Sequence, residues 1–413
     1  MTHTAAVPSH WKTGNIRRFA QMKSGHTPSR SVSAYWENTD IPWFTLADVW
    51  QLRDGKQIYL GDTANKINEL GLANSAAELL PAGTVVLSRT ASVGFSGIMS
   101  RPMATSQDFW NWVCGTELLP EYLNYQFRSM TAEFKSLNMG STHQTIYQKD
   151  AATLQIVVPP LEEQRAIAAY LDREIARIDM LIEEQQVLVG MLQERRVATV
   201  AEALNGHEMS RLRRLVDSDR PMTYGILQCG EPVDGGVAYI GPSDITGEGV
   251  SPKLDTLRTT TPEIASVYQR SVLVGGDVVV SIGPAYGKVA VVSDDLTGAN
   301  LTQDTVRVAL RPDLVDTRFV VWALLSRQTS EYWDHQIMGA TFRRLNLGTL
   351  ARTPIPLPSI DVQRRIAASL DERTSKIDLL IAESARFIEL ARERRAALIT
   401  AAVTGQIDVL ETA

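Results

Sequence analysis

The sequence predicts a mixed α/β (α+β) architecture in two copies, separated by two long antiparallel coiled-coil helices and related as a pseudo-two-fold internal repeat. Three observations predict it. Residues 159–206 match residues 358–405 at 19 of 48 positions without a gap, at a constant offset of 199, a self-similarity that chance does not produce. Both copies of this stretch carry apolar residues at helical spacing. The residues before each copy hold short β-rich runs between Gly, Pro, Asn and Asp turns. The 413 residues therefore divide into a first globule (1–158), a central helix (159–206), a second globule (207–354) and a C-terminal helix with its tail (355–413).

The globules correspond more weakly than the helices. Ile16-Arg17-Arg18-Phe19 echoes Leu212-Arg213-Arg214-Leu215, and Trp43-Phe44 echoes Tyr239-Ile240. Gly83 to Ser88 echoes Gly276 to Ser281, Gln107-Asp108 echoes Gln303-Asp304, and Gly140-Ser141-Thr142 echoes Gly339-Ala340-Thr341. The offset wanders, as small loop insertions would make it. Strands are expected at Thr84 to Leu87, Val278 to Ile282, Val289 to Val292 and Val306 to Leu310, with helices around Pro120 to Leu137 and Asp316 to His335. Strand order stays open.

In the central stretch the apolar residues Leu171, Ile175, Ile178, Ile182, Val189 and Leu192 form one helical stripe, and no proline occurs from about Leu161 to Asn205. Leu370, Ile377, Ile381, Ile388, Ala391 and Leu398 repeat the stripe. Pro159-Pro160 and Pro358-Ser359 start the helices, and Gly206 and Gly405 stop them. Some 40 residues of helix span about 60 Å. A pattern this long needs a partner helix, and the homologous stripe is the nearest candidate. A two-fold relation would bury both stripes and set the helices antiparallel.

Composition excludes several classes. At 44% hydrophobic and 21% charged residues the chain is ordinary globular material. Two cysteines, Cys114 and Cys229, support neither a disulfide framework nor a Cys-rich zinc site. No apolar run nears the roughly 18 residues that cross a bilayer, and residues 1–14 lack the pattern of a secretory signal. The expected compartment is cytoplasmic, with no membrane partner. The net charge of −6 argues against a simple basic nucleic-acid binder, but by segment it is +1, −4, −2 and −1. The acidity is thus concentrated in the central helix.

Catalytic patterns are missing. There is no phosphate-binding loop ending in Lys-Ser/Thr and no Gly-x-Gly-x-x-Gly after a strand. Val158-Pro159-Pro160-Leu161 lacks the polar and aromatic residues of an amino-group methyltransferase motif and reads as a helix start. The six histidines are scattered, without zinc spacing. Ser106 and Ser281 have no nucleophile context. We assign no catalytic or metal-ligating residue; the sequence reads as a binding protein. The stretch Ser24 to Arg30, followed by Tyr35-Trp36 and Asp40-Ile41-Pro42-Trp43, mixes small polar, basic and aromatic residues. Such a mix suits contacts to phosphates and base edges. On composition alone the plainer reading, an ordinary loop around a buried Trp, has the advantage.

Ser-Gly-x-Thr-Pro-Ser with the following Tyr-Trp and Asp-Ile-Pro-Trp resembles the start of a target recognition domain of type I restriction-modification specificity subunits. Pro-Pro-Leu-x-Glu-Gln-x-x-Ile-Ala-x-Tyr-Leu-Asp, with the downstream Ile-Asp and Glu-Arg-Arg, resembles that family's central spacer helix, and the second copy its C-terminal one. The segment Arg220 to Ile226 lacks the Thr-Pro-Ser pattern and resembles a different recognition-domain subtype.

The resemblance implies two recognition domains held apart by two antiparallel helices, each domain reading one half of an asymmetric bipartite target in double-stranded DNA. It implies a non-catalytic subunit assembling with two modification (methyltransferase) subunits and two restriction (translocase/nuclease) subunits. S-adenosylmethionine, ATP and Mg would be bound only by those partners, and this chain would hold no cofactor. For DNA contact we single out Thr27, Ser29, Arg30, Arg89, Thr90, His143 and Gln144 in the first globule. In the second we single out Tyr286, Lys288, Thr341, Arg343 and Arg344. Arg pairs bidentately with guanine and Gln with adenine. Glu194-Arg195-Arg196 and Glu393-Arg394-Arg395 are either docking points for modification subunits or a solvated face with intrahelical pairing. The competing class is a duplicated coiled-coil adaptor that binds proteins without reading DNA.

Overall fold

The computed structural model describes residues 7–136, 145–337 and 343–409. Residues 1–187 and 385–413 form one compact unit, and residues 188–384 form another. Each unit therefore contains one globule, half of one long helix and the opposite half of the other.

In the first unit a five-stranded sheet runs in the order Ala20–Ser24, Phe109–Cys114, Val85–Ser88, Ser96–Met99, Tyr59–Leu60. Its pairs are antiparallel except the last, which is parallel. A second sheet runs Asn65–Ile67, Ile41–Phe44, Ala104–Thr105, antiparallel then parallel. Lys12–Asn15 pairs with Gln155–Val158 and ties the start of the globule to its end. The second unit repeats this plan. Its larger sheet runs Thr223–Tyr224, Thr305–Val308, Val278–Ser281, Val289–Val291, and its smaller one Arg258–Thr260, Val237–Ile240, Asn300–Leu301. Met209–Arg211 pairs with Pro354–Pro356. The order is the same in both units, with one further edge strand in the first.

The central strands are buried on both faces, which is why they read as unbroken apolar runs rather than alternating ones. Val85 and Leu87 enter the core that holds Trp112, Tyr122 and Phe127, while Val86 points the other way, to Phe44, Met99 and Phe109. Val278 and Val280 pack with Phe319 and Trp333, and Val279 with Ile240 and Leu301. The expected helices are each interrupted: Pro120–Ser129 and Thr131–Ser136 in one unit, Thr317–Leu325 and Arg327–Ile337 in the other.

The long helices are Leu161–Leu204 and Ile360–Val403, each 44 residues, or about 66 Å at 1.5 Å per residue. Gly206 and Gly405 follow them with φ of 78° and 72°, the left-handed backbone that ends a helix and favours glycine. The predicted stripe is the buried face. Within the first unit Leu171 and Ile175 pack in one core with Ile399 and Val403, and Ile178 and Ile182 pack with Ile388 and Ala391. Within the second, Val200 and Leu204 share a core with Ala367 and Leu370. Rising numbers on one helix meet falling numbers on the other, so the pairing is antiparallel.

The glutamine of the repeated motif has a structural task. Gln164 is fully buried; its amide oxygen accepts from Leu119 N at 2.7 Å, and its Nε2 donates to the carbonyls of Glu117 and Pro159, both at 2.8 Å. Gln363 does the same with Asp316 N at 2.9 Å and the carbonyls of Leu314 and Pro358 at 3.2 and 2.8 Å. Each amide satisfies backbone groups that burial would otherwise leave unpaired and binds the start of a long helix to its globule.

Candidate nucleic-acid interface

In the first unit the chain leaves the smaller sheet at Thr105 and enters the larger at Phe109. The three residues between, Ser106-Gln107-Asp108, form a turn on which the predicted residues converge. Asp108 accepts from Thr90 Oγ1 at 2.6 Å and from Ser106 Oγ at 2.9 Å, and its carbonyl accepts from Arg89 N at 2.9 Å. Thr27 Oγ1 donates to the Gln107 amide oxygen at 2.5 Å. The loop carrying Thr27 lies so close that a Cβ on Gly25 would stand 2.2 Å from the Thr105 carbonyl oxygen; only glycine fits. Arg89 lays its guanidinium 4.3 Å from the centre of the Trp110 ring, a cation–π contact. Burial pulls the Arg89 guanidinium below its ordinary value, and Asp108 opposes that pull.

Ser29 and Arg30 are exposed on the loop beyond; Ser29 Oγ bonds Ser31 Oγ at 2.9 Å, and its carbonyl accepts from Trp36 Nε1 at 3.2 Å. Trp43, 2% exposed, donates to the His26 carbonyl at 3.2 Å. The segment thus combines both of its readings: a buried Trp anchors the loop, and the polar residues face out. His143 and Gln144 lie outside the described residues, as does Thr341.

The second unit has the same turn at Thr302-Gln303-Asp304. The Asp304 carbonyl accepts from Ile282 N at 2.8 Å, and the Ile282 carbonyl accepts from Leu345 N at 2.9 Å. Arg89 makes the matching backbone bonds, donating to Asp108 O and accepting from Ile146 N, so Ile282 occupies the Arg89 position. Arg344 takes over the side-chain role, bonding the Gln303 carbonyl at 2.8 Å and pairing with Asp304 at 3.1 Å. A Cβ on Gly225 would meet the Leu301 carbonyl oxygen at 2.0 Å, as at Gly25. Arg343 is exposed. Tyr286 and Lys288 sit on the neighbouring hairpin loop but turn elsewhere. Tyr286 donates to Asp334, which raises its phenol above the ordinary value, and Lys288 Nζ reaches the Pro242 carbonyl at 2.9 Å. Gln107, Asp108, Gln303 and Asp304 are the residues missing from the sequence-based set. Their signal was present, as a Gln-Asp pair at matching places in both globules.

On the helices, Glu194, Arg195, Glu393 and Arg394 are exposed. Arg196 and Arg395 are partly buried and ion-paired within their own units. Arg395 donates to Asp179 at 2.6 Å and to the Asp54 carbonyl at 2.8 Å, within the first unit. Arg196 bonds Asp378 at 2.8 Å and Glu248 at 2.5 Å, within the second. Burial alone would lower the Arg196 guanidinium; the two carboxylates outweigh it and raise it. Among the described residues there is no group of three or more His, Cys, Asp or Glu side chains that could hold a metal ion. No helix among them is long and apolar enough to cross a membrane.

The model of the type I restriction modification DNA specificity domain matches residues 8–188 and 232–386. The MjaIX specificity subunit of Methanocaldococcus jannaschii, a type I restriction enzyme subunit, is 29% identical over 187 residues, 45% of this chain and 41% of its own length. The EcoBI specificity subunit of Escherichia coli is 26% identical over 293 residues, 63% of this chain and 61% of its own. The chain thus spans only about half of those two relatives. The MjaVIII specificity subunit of M. jannaschii is 24% identical over 436 residues, covering 98% of this chain and 95% of its own length. Two solved structures share the fold. One is a chain from work on complex assembly and conformational transition of the type I R-M system, with TM-score 0.77 and 18% identity over 97% of this chain and 99% of that one. The other is the HsdS subunit from Thermoanaerobacter tengcongensis, with TM-score 0.59 and 17% identity over 98% and 100%. With both halves of the repeat matched by one family model, the chain belongs to the type I restriction modification DNA specificity domain family.

Proposed function

We infer that this chain is the sequence-reading, non-catalytic subunit of a cytoplasmic type I restriction-modification complex. One observation carries the reading: two domains present the same turn on the same scaffold, yet differ in the side chains around it. Arg89, Thr90 and Trp110 flank the turn in one, Ile282 and Arg344 in the other. Equal frames with unequal side chains suit a bipartite DNA target whose halves differ in sequence. Arg, as a paired donor, and Gln, as a donor and acceptor together, are the bidentate groups that distinguish bases in the major groove.

Methyl transfer and cleavage then belong to partners, which would carry S-adenosylmethionine, ATP and Mg. The exposed Glu194-Arg195 and Glu393-Arg394 are equivalent positions of the repeat, which supports two modification subunits docking alike, with two restriction subunits joining them. Exposed apolar side chains on the same helices, Met180 and Met191 on one and Leu379 and Leu390 on the other, supply surface that such partners would cover. Large partners can also supply many of the phosphate contacts, which makes the net acidity of this chain compatible with DNA reading.

The test is to express the chain with its modification subunit and read the methylated positions across a genome. A split, asymmetric motif that vanishes without this chain supports the reading. Methylation without any motif, or a chain that binds the modification subunit but not DNA, rejects it in favour of the adaptor.

A further inference from the structure

The Gln-Asp pair at the turn has two halves with different explanations. The aspartates have structural work in both units: Asp108 gathers Thr90 and Ser106, and Asp304 gathers Arg344. The glutamines do not. Gln107 is exposed, and among the described residues its side chain has one bond, accepted from Thr27. Gln303 is half-buried, and among the described residues its side-chain amide bonds nothing; only its main chain is held, by Ile226 O at 2.9 Å and Arg344. At Gln303 no internal hydrogen bond among the described residues calls for an amide, and at Gln107 the Thr27 hydroxyl engages the amide oxygen alone. The backbone does hold both in the same place. Each follows a strand paired in parallel in the smaller sheet, beside a glycine that admits no side chain, and precedes a carbonyl bonded to Arg89 N or Ile282 N.

We propose that Gln107 and Gln303 are matched base-reading residues, each recognising an adenine through its N6 and N7 edge at the corresponding position of its own half-site. This rests on the DNA-reading function inferred above and deepens it. A side-chain amide is the neutral group whose acceptor and donor match that edge together. At Gln107 the Thr27 hydroxyl occupies one lone pair of the amide oxygen and orients the group. The second lone pair and both N–H donors remain for the base. The surrounding residues that differ between units would then read the positions at which the two halves diverge, while the glutamines read one they share.

The test uses the full chain in complex with its modification subunit. Wild type, Gln107→Ala and Gln303→Ala are compared by the methylated motif. They are also compared by binding to duplexes in which each A·T pair of the motif is changed to G·C. Discrimination at one A·T pair should fall roughly 5- to 150-fold in each variant, the range of a bidentate base contact. The affected pair should lie in a different half for each variant, at the same distance from the methylated adenine. Because Gln107 and Gln303 make few internal bonds, both variants should keep the wild-type melting temperature. If the wild type shows a split motif but neither variant relaxes it, the assignment is overturned while the DNA-reading function stands. A loss at only one site, at a G·C pair or at unmatched distances also overturns it. If the wild type itself shows no motif, both fall.

Discussion

The Arg395–Asp179 and Arg196–Asp378 pairs are equivalent in the repeat, yet their burial differs, and burial decides what each contributes. Asp179 and Arg395 have side chains 12% and 20% exposed. Asp378 and Glu248, the partners of Arg196, are 49% and 52% exposed. Arg395→Ala leaves a desolvated carboxylate without its counter-charge, a change that costs about 3 kcal/mol at the low end for buried pairs. Arg196→Ala leaves two carboxylates that water can reach, at about 1 kcal/mol or less. The contrast is between two local sites, so local opening by hydrogen exchange is the assay. Amides around Asp179 should exchange roughly 150-fold faster in Arg395→Ala, whereas those around Asp378 should change by about 5-fold or less in Arg196→Ala, the exponentials of those energies. Asp179→Leu combined with Arg395→Met should recover most of the loss, because an apolar pair of similar volume carries no desolvation cost. Equal acceleration in the two single variants would refute the reasoning, as would an Arg395→Ala chain that exchanges like wild type.

Three more outcomes follow from local geometry. Gly25→Ala drives a Cβ to within 2.2 Å of the Thr105 carbonyl oxygen and should destabilise the first globule by about 3 kcal/mol; an unchanged thermal transition would contradict this. Gln164→Leu strips Leu119 N and the carbonyls of Glu117 and Pro159 of their partner, and at about 1–3 kcal/mol for each buried group left unpaired urea denaturation should show a loss of at least about 2 kcal/mol. Burial pushes the Cys114 thiol up to about 12; its alkylation at pH 8 should run roughly 1000-fold slower than that of a free thiol and become fast in urea, and rapid labelling of the folded chain would count against the buried environment.

The long helices and their stripe were legible because helical period and an internal repeat are both written in local sequence. The strand runs were legible for the same reason. Strand order was not, because pairing such as Ala20 with Cys114 joins residues far apart in the chain, and nothing local encodes it. The interface was half legible. Thr27, Arg89 and Thr90 stand out as polar residues in loops, but that Gln107 and Asp108 of one turn gather them depends on two sheets meeting there. The ion pairs of Arg196 and Arg395 were not read from the sequence, although the helical period holds their signal. The apolar stripe Ile182, Val189, Leu192 steps next onto Arg196, so this arginine lies on the seam and Arg195 beside it does not. The antiparallel arrangement then explains why one motif serves twice. Each long helix carries an Asp and an Arg 17 residues apart (196 − 179 and 395 − 378). When two copies of such a helix run in opposite directions, the Asp of each meets the Arg of the other. The ion pairs therefore specify the register of the helices, and a shift by one turn would break both together.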